Sequence, residues 1–180
     1  SPAEGHKLGA YAYLLDFDNA HSMETIDNAL SSQTYGVEYS GKFGPITVAA
    51  AAASQTDYGD NAVDYDTEYY MLELGTTVKG VGLGVGYEEL GSDDGVKGFV
   101  TPLATLHKFQ GWADMFLATP AGGIEDMYFK VTGKVAGVAL AAFYHDFEAD
   151  ESGPNDDYGE EFDAVATYAV NKNLSVQLKY

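Results

Sequence analysis

Along this chain, apolar and polar residues exchange places at every second position, segment after segment. In Leu174-Ser175-Val176-Gln177-Leu178-Lys179-Tyr180 the alternation is perfect. A period of two is the signature of a β-strand with one apolar face, and its repetition along a whole chain predicts an all-β sandwich or barrel. Nine strands are expected, near 7–17, 33–43, 46–56, 66–78, 81–90, 125–134, 137–147, 160–170 and 173–180. Tyr11, Tyr13, Leu15 and Phe17 share one parity, as do Tyr35, Val37, Tyr39 and Phe43, while Thr34, Glu38, Ser40 and Lys42 take the other. Tyr70, Leu72, Leu74 and Val78 likewise oppose Glu73 and Thr77, and Val81, Leu83, Val85 and Tyr87 oppose Gly82, Gly84, Gly86 and Glu88. In the run Ala49 to Ala53 neither parity wins. Most of these segments reach the length of about 9–11 residues that a tilted membrane strand needs.

The connections carry more information than the strands. Tight links follow the even strands, at Gly41-Lys42-Phe43-Gly44-Pro45, Lys79-Gly80, Gly133-Lys134-Val135-Ala136-Gly137 and Asn171-Lys172-Asn173. Long links follow the odd ones, from Asp18 to Ser32, Asp57 to Tyr65, Gly91 to Ile124 and Glu148 to Gly159. A short-turn end opposite a long-loop end is the plan of a transmembrane, antiparallel up-and-down β-barrel, whereas Greek-key sandwiches mix the two. Tyr13, Tyr35, Tyr39, Tyr70, Tyr87 and Tyr168 then fall where aromatic girdles meet the lipid interfaces. Bacterial single-chain barrels have an even number of strands, so nine implies a partial chain of a larger barrel or one miscounted strand. An open sheet in lipid would leave unpaired edges, so further strands are expected from the same or another chain.

Composition narrows the function. The chain of 180 residues has 46% hydrophobic residues, enough for one structured unit, here 1–180. It contains 28 acidic side chains against nine basic ones, a formal net charge of −19, and every basic residue is lysine. That excludes nucleic-acid binding, which needs a basic face. The absence of cysteine excludes a disulfide scaffold and a thiolate site. The four histidines, at 6, 21, 107 and 145, show no zinc-ligand spacing, and no serine stands in a nucleophile elbow, so an enzyme is not expected. The glycines at 80, 82, 84 and 86 lie at strand period, not in a turn before a helix, and do not form a phosphate cradle.

Between Tyr87 and Asp126 the chain becomes distinctive. Thr101-Pro102-Leu103-Ala104-Thr105-Leu106-His107-Lys108-Phe109-Gln110-Gly111-Trp112-Ala113-Asp114 is followed by Thr119-Pro120-Ala121-Gly122-Gly123-Ile124-Glu125-Asp126 and later by Tyr144-His145-Asp146-Phe147. These segments resemble the carboxy-terminal half of proteobacterial outer-membrane porins related to the alginate-export family. The resemblance covers most of the chain and implies a many-stranded barrel in the bacterial outer membrane, contacting lipid and lipopolysaccharide, with solute passing through its lumen. A polyanionic cargo such as alginate would call for an arginine-rich lumen, and this chain has no arginine. A small hydrophilic solute, neutral or cationic, fits better.

The candidate pore-lining residues are Glu38, Lys42, Glu73, Lys130, Glu161, Asp163, Gln177 and Lys179, all on polar parities. The loop at 91–124 is expected to fold into the lumen, with Lys108, Trp112 and Asp114 at the constriction. Leu106, Phe109, Ala113 and Phe116 fall near helical spacing and predict a short helix there. Gly82, Gly84 and Gly86 are expected to leave room for the insertion. No cofactor is expected beyond calcium at acidic loops, for which Asp60, Asp64 and Asp66 are the candidate ligands. Two alternatives stay open: a soluble β-barrel that encloses an apolar ligand, and a non-conducting structural or receptor barrel.

Overall fold

The computed structural model of the chain describes residues 5–17, 28–105 and 109–180. Nine long strands form one antiparallel sheet in which each strand pairs with its neighbours in the chain. They are β1 (Lys7–Leu15), β2 (Ser32–Phe43), β3 (Ile46–Asp57), β4 (Asp66–Val78), β5 (Val81–Leu90), β8 (Ile124–Val135), β9 (Val138–Glu148), β10 (Asp157–Asn171) and β11 (Leu174–Lys179). Between β5 and β8 a two-stranded ribbon, β6 (Ser92–Asp93) and β7 (Lys97–Gly98), opens the long loop. The sheet is an up-and-down meander, and it is open: β1 and β11 are its two edges.

Local chemistry sets the hairpins. Lys79 and Gly80 (φ 51° and 84°) and Ala136 and Gly137 (φ 49° and 87°) make the two-residue left-handed turns whose twist matches that of paired strands. Strand β1 stops at Leu15, short of the expected 17, because the Phe17 N–H leaves the ladder to donate to Ser31 Oγ at 2.8 Å. The alanine run is one uninterrupted strand. The register puts Ala49, Ala51 and Ala53 beside Glu73, Met71 and Tyr69, and turns Ala50 and Ala52 to the other side with Leu72 and Tyr70.

Cross-strand pairing sorts every strand residue onto one of two faces, because directly opposed residues point the same way. One face is bare and apolar. Leu8, Tyr35, Val37, Phe43, Ile46, Tyr70, Leu72, Leu74, Val81, Leu83, Phe129, Val131, Leu140, Phe162, Val176 and Leu178 stand exposed on it, reaching all nine strands. The other carries the long loop and the small core, in which Ala53, Leu90 and Phe99 pack with Tyr11 and Tyr69. Tyr13 corrects the girdle expectation. It pairs with Thr34, on the loop-bearing face, while Leu8, Ala10, Ala12 and Leu14 point to the bare side. Both parities of β1 are apolar, so the larger aromatic rings do not mark its bare side. The other girdle tyrosines lie on the bare face in two bands. Tyr35, Tyr70 and Tyr87 are near the long-loop end, and Tyr39 and Tyr168 near the short-turn end.

Candidate functional site

The register places all eight candidate lining residues on the loop-bearing face. Glu73, Gly86, Tyr128, His145 and Glu161 form one cross-strand row. Lys42, Thr47, Gly75, Gly84, Lys130, Phe143 and Asp163 form the next. Glu38 continues through Ala51 and Met71 to Glu88, while Lys179 and Gln177 pair with Val165 and Thr167. Glu73 and Lys130 meet as an ion pair at 2.6 Å and, with Lys42, line a hollow of about 270 Å³ near the short turns. Glu38 lies across Gly9, and Gln177 donates to Thr167 Oγ1 at 3.1 Å.

The long loop is tied to this face from both sides. On β3, Gln55 is buried and fully used. Its Nε2 donates to Thr34 Oγ1 and to the Val100 carbonyl, each at 2.9 Å. Its Oε1 accepts from the Val100 N–H at 2.7 Å and from the Tyr65 hydroxyl at 3.3 Å. At the centre, Gln110 Nε2 donates to Glu88 Oε2 at 2.9 Å, and the Tyr69 hydroxyl donates to Glu88 Oε1 at 2.6 Å. On β10, Glu161 Oε1 accepts the N–H of Trp112 at 2.5 Å and of Ala113 at 2.8 Å, and Asp163 Oδ2 also accepts from Trp112, at 3.1 Å. Gly111 permits that approach. Its φ is 81°, and a Cβ there would fall 2.5 Å from the Glu161 carboxylate. The Trp112 ring meets Phe143 edge-on at 5.4 Å and carries Lys179 Nζ 4.5 Å above its centroid.

Of the constriction candidates, Trp112 thus joins Glu161, Asp163 and Lys179 in one cluster. Asp114 is exposed in a left-handed conformation (φ 58°), and Lys108 lies outside the described residues. Among the described residues the expected helix is absent. Residues 109–119 run as turns and bends, and the Trp112 and Ala113 N–H groups are drawn to carboxylates on the sheet rather than to a helical carbonyl. The glycine track also serves another purpose than expected. Thr132, Lys130 and Tyr128 from β8 lie flat over Gly82, Gly84 and Gly86, so that Tyr128 reaches across β5 and donates to Glu73 Oε2 at 2.9 Å. A Cβ at Gly86 would stand 2.1 Å from the Tyr128 ring. Gly86→Val is therefore expected to evict that ring and destabilise the protein by about 1–3 kcal/mol, read as a lower denaturant midpoint. An unchanged midpoint would show that the track carries no load.

Beneath the loop, His145 lies between Phe147 (5.3 Å, 7° between planes) and Phe143 (6.1 Å, 16°). Its Nδ1 is 2.9 Å from Asp126 Oδ2 and its Nε2 4.0 Å from Asp163 Oδ2. Sequence reasoning missed Gln55, Gln110 and Asp126 as site residues and left Glu88 as an ordinary polar position. Parity could have found Glu88 and Asp126, which continue the Gly86 and Lys130 faces, but nothing in the chain marked the glutamines. Asp60, Asp64 and Asp66 do not converge. Among the described residues, three carboxylates that all come within 4.8 Å of one another are those of Glu89, Glu125 and Asp150. The chain matches no protein-family model and no curated protein.

Proposed function

We propose that the chain is part of the wall of a transmembrane β-barrel channel in the bacterial outer membrane, passing a small hydrophilic solute passively. The observation that carries this reading is the bare face. Soluble monomers rarely expose contiguous apolar patches beyond a few hundred Å². Here apolar side chains stand exposed on every strand of a nine-stranded sheet, Leu72 at 48% and Leu178 at 74% among them. Lipid is the surrounding that such a face suits. The tyrosine bands support it, since the hydroxyls near the loop end turn away from the apolar zone. Tyr70 donates to Glu68, and Tyr87 donates to Glu89 at 2.8 Å.

In lipid, the open edges of β1 and β11 require pairing, and further strands from the same or another chain supply it. Water and solute then run along the loop-bearing face, where Glu88 and Asp126 lie toward the loop end, Lys42 and Lys134 toward the turns, and Lys130 and Asp163 share a row between them. The resemblance to porins of the alginate-export group agrees with this plan, while the missing arginine argues against a polyanionic cargo. Enclosure of an apolar ligand is less well supported, because the loop covers the polar face and leaves the apolar one outward. Planar-bilayer recording on the purified native protein tests the proposal. Stepwise conductance that appears only with protein supports it, and a soluble, monodisperse protein without detergent overturns it.

A further inference from the structure

Between the long loop and the β1–β5 side of the sheet lies a cavity of about 560 Å³, within the range of small-molecule sites. Six aromatic residues contribute to its wall: Tyr11, Tyr13 and Tyr69 from the strands, and Phe99, Phe109 and Phe116 from the loop. Two carboxylates, Glu38 and Glu88, also line it, and no lysine or histidine is among its described lining residues. Both Glu88 oxygens are held, but by the neutral hydroxyl of Tyr69 and the neutral amide of Gln110, which orient the charge without neutralising it. Rings beside an oriented carboxylate are complementary to a positive charge carried on an apolar body, and none of the described lining residues is a competing cation.

We propose that this cavity is a binding site for a small organic cation, an ammonium on an aryl or alkyl group. The ammonium pairs with Glu88 and the apolar body packs on the aromatic wall. The proposal rests on the channel reading in one respect, that the cavity then lies on the path of the solute. Anions are disfavoured by Glu38 and Glu88, and neutral isosteres lose the charge-assisted contact.

Titration calorimetry of the detergent-solubilised native protein with 2-phenylethylammonium tests it, with 2-phenylethanol and phenylacetate as the neutral and anionic counterparts. Saturable binding is expected for the ammonium alone, and Glu88→Gln is expected to weaken it roughly tenfold. Phe109→Ala, on a partly exposed loop ring, is expected to weaken it severalfold and serves if the Glu88 variant fails to fold. Absence of binding, equal binding of alcohol and ammonium, or binding unchanged in both variants would overturn the site. Bilayer recording on the same preparation separates the two proposals. A conducting protein that does not bind the cation refutes the site and spares the channel, whereas binding without conductance does the reverse.

Discussion

Deletion of residues 99–119 is expected to raise single-channel conductance to about twice its native value or more, because in the proposed channel that segment lies on the face along which solute runs. The sheet should survive the deletion. Strands β5 and β8 are already zipped together up to Leu90 and Ile124, so a short turn can replace the loop without changing the register. The loop is anchored at Val100, Gln110 and Trp112 by Gln55, Glu88 and Glu161 from β3, β5 and β10. A milder variant reports on the same anchor. Gln55→Leu leaves the buried N–H and carbonyl of Val100 without partners, at a cost of roughly 1–3 kcal/mol for each unsatisfied group, and should make the current noisy before it becomes large. Conductance unchanged by the deletion would place the loop outside the solute path.

Leu72→Lys has the second largest expected effect, and its sign separates lipid from water. Leu72 stands 48% exposed near the middle of β4, between Tyr70 and Leu74 on the bare face. In a soluble protein a lysine at so open a position changes stability by within about 0.5 kcal/mol. At the bilayer midplane it costs about 2–4 kcal/mol, falling to about 0–1 near the interface. Val78→Lys, at the turn end of the same strand, is thus the internal control. Equal and small effects at 72 and 78, measured by unfolding in lipid vesicles, would contradict a membrane-facing surface.

Much of the fold was legible because the period of two is a strong signal wherever the two parities differ in chemistry. In β4, Leu72 against Glu73 leaves no choice of face, and the lining residues follow from it. The signal fails where both parities are apolar, as in β1, and there only the pairing of Tyr13 with Thr34 decides. It also fails in the long loop, whose conformation depends on partners far away in the chain. Helical spacing of Phe109, Ala113 and Phe116 was a poor guide. The decisive contacts run from Trp112 to Glu161, from Gln110 to Glu88 and from Val100 to Gln55, at separations of 49, 22 and 45 residues. A glutamine that satisfies four partners at once looks, in sequence, like any polar strand residue. The glycine track misled for a related reason. Empty space on one strand suggests room for the loop, but Tyr128 and Lys130 on the adjacent strand are nearer and reach Glu73 across it.

The central claim, that one face of this sheet meets lipid and the other water, is tested most directly by single cysteines at 70–75, since the chain has none of its own. With spin labels at each position of the protein in lipid vesicles, accessibility to oxygen and to an aqueous nickel reagent should alternate with period two. Positions 70, 72 and 74 should favour oxygen, and 71, 73 and 75 should favour nickel. Nickel accessibility at 72 and 74 equal to that at 73 would contradict the account.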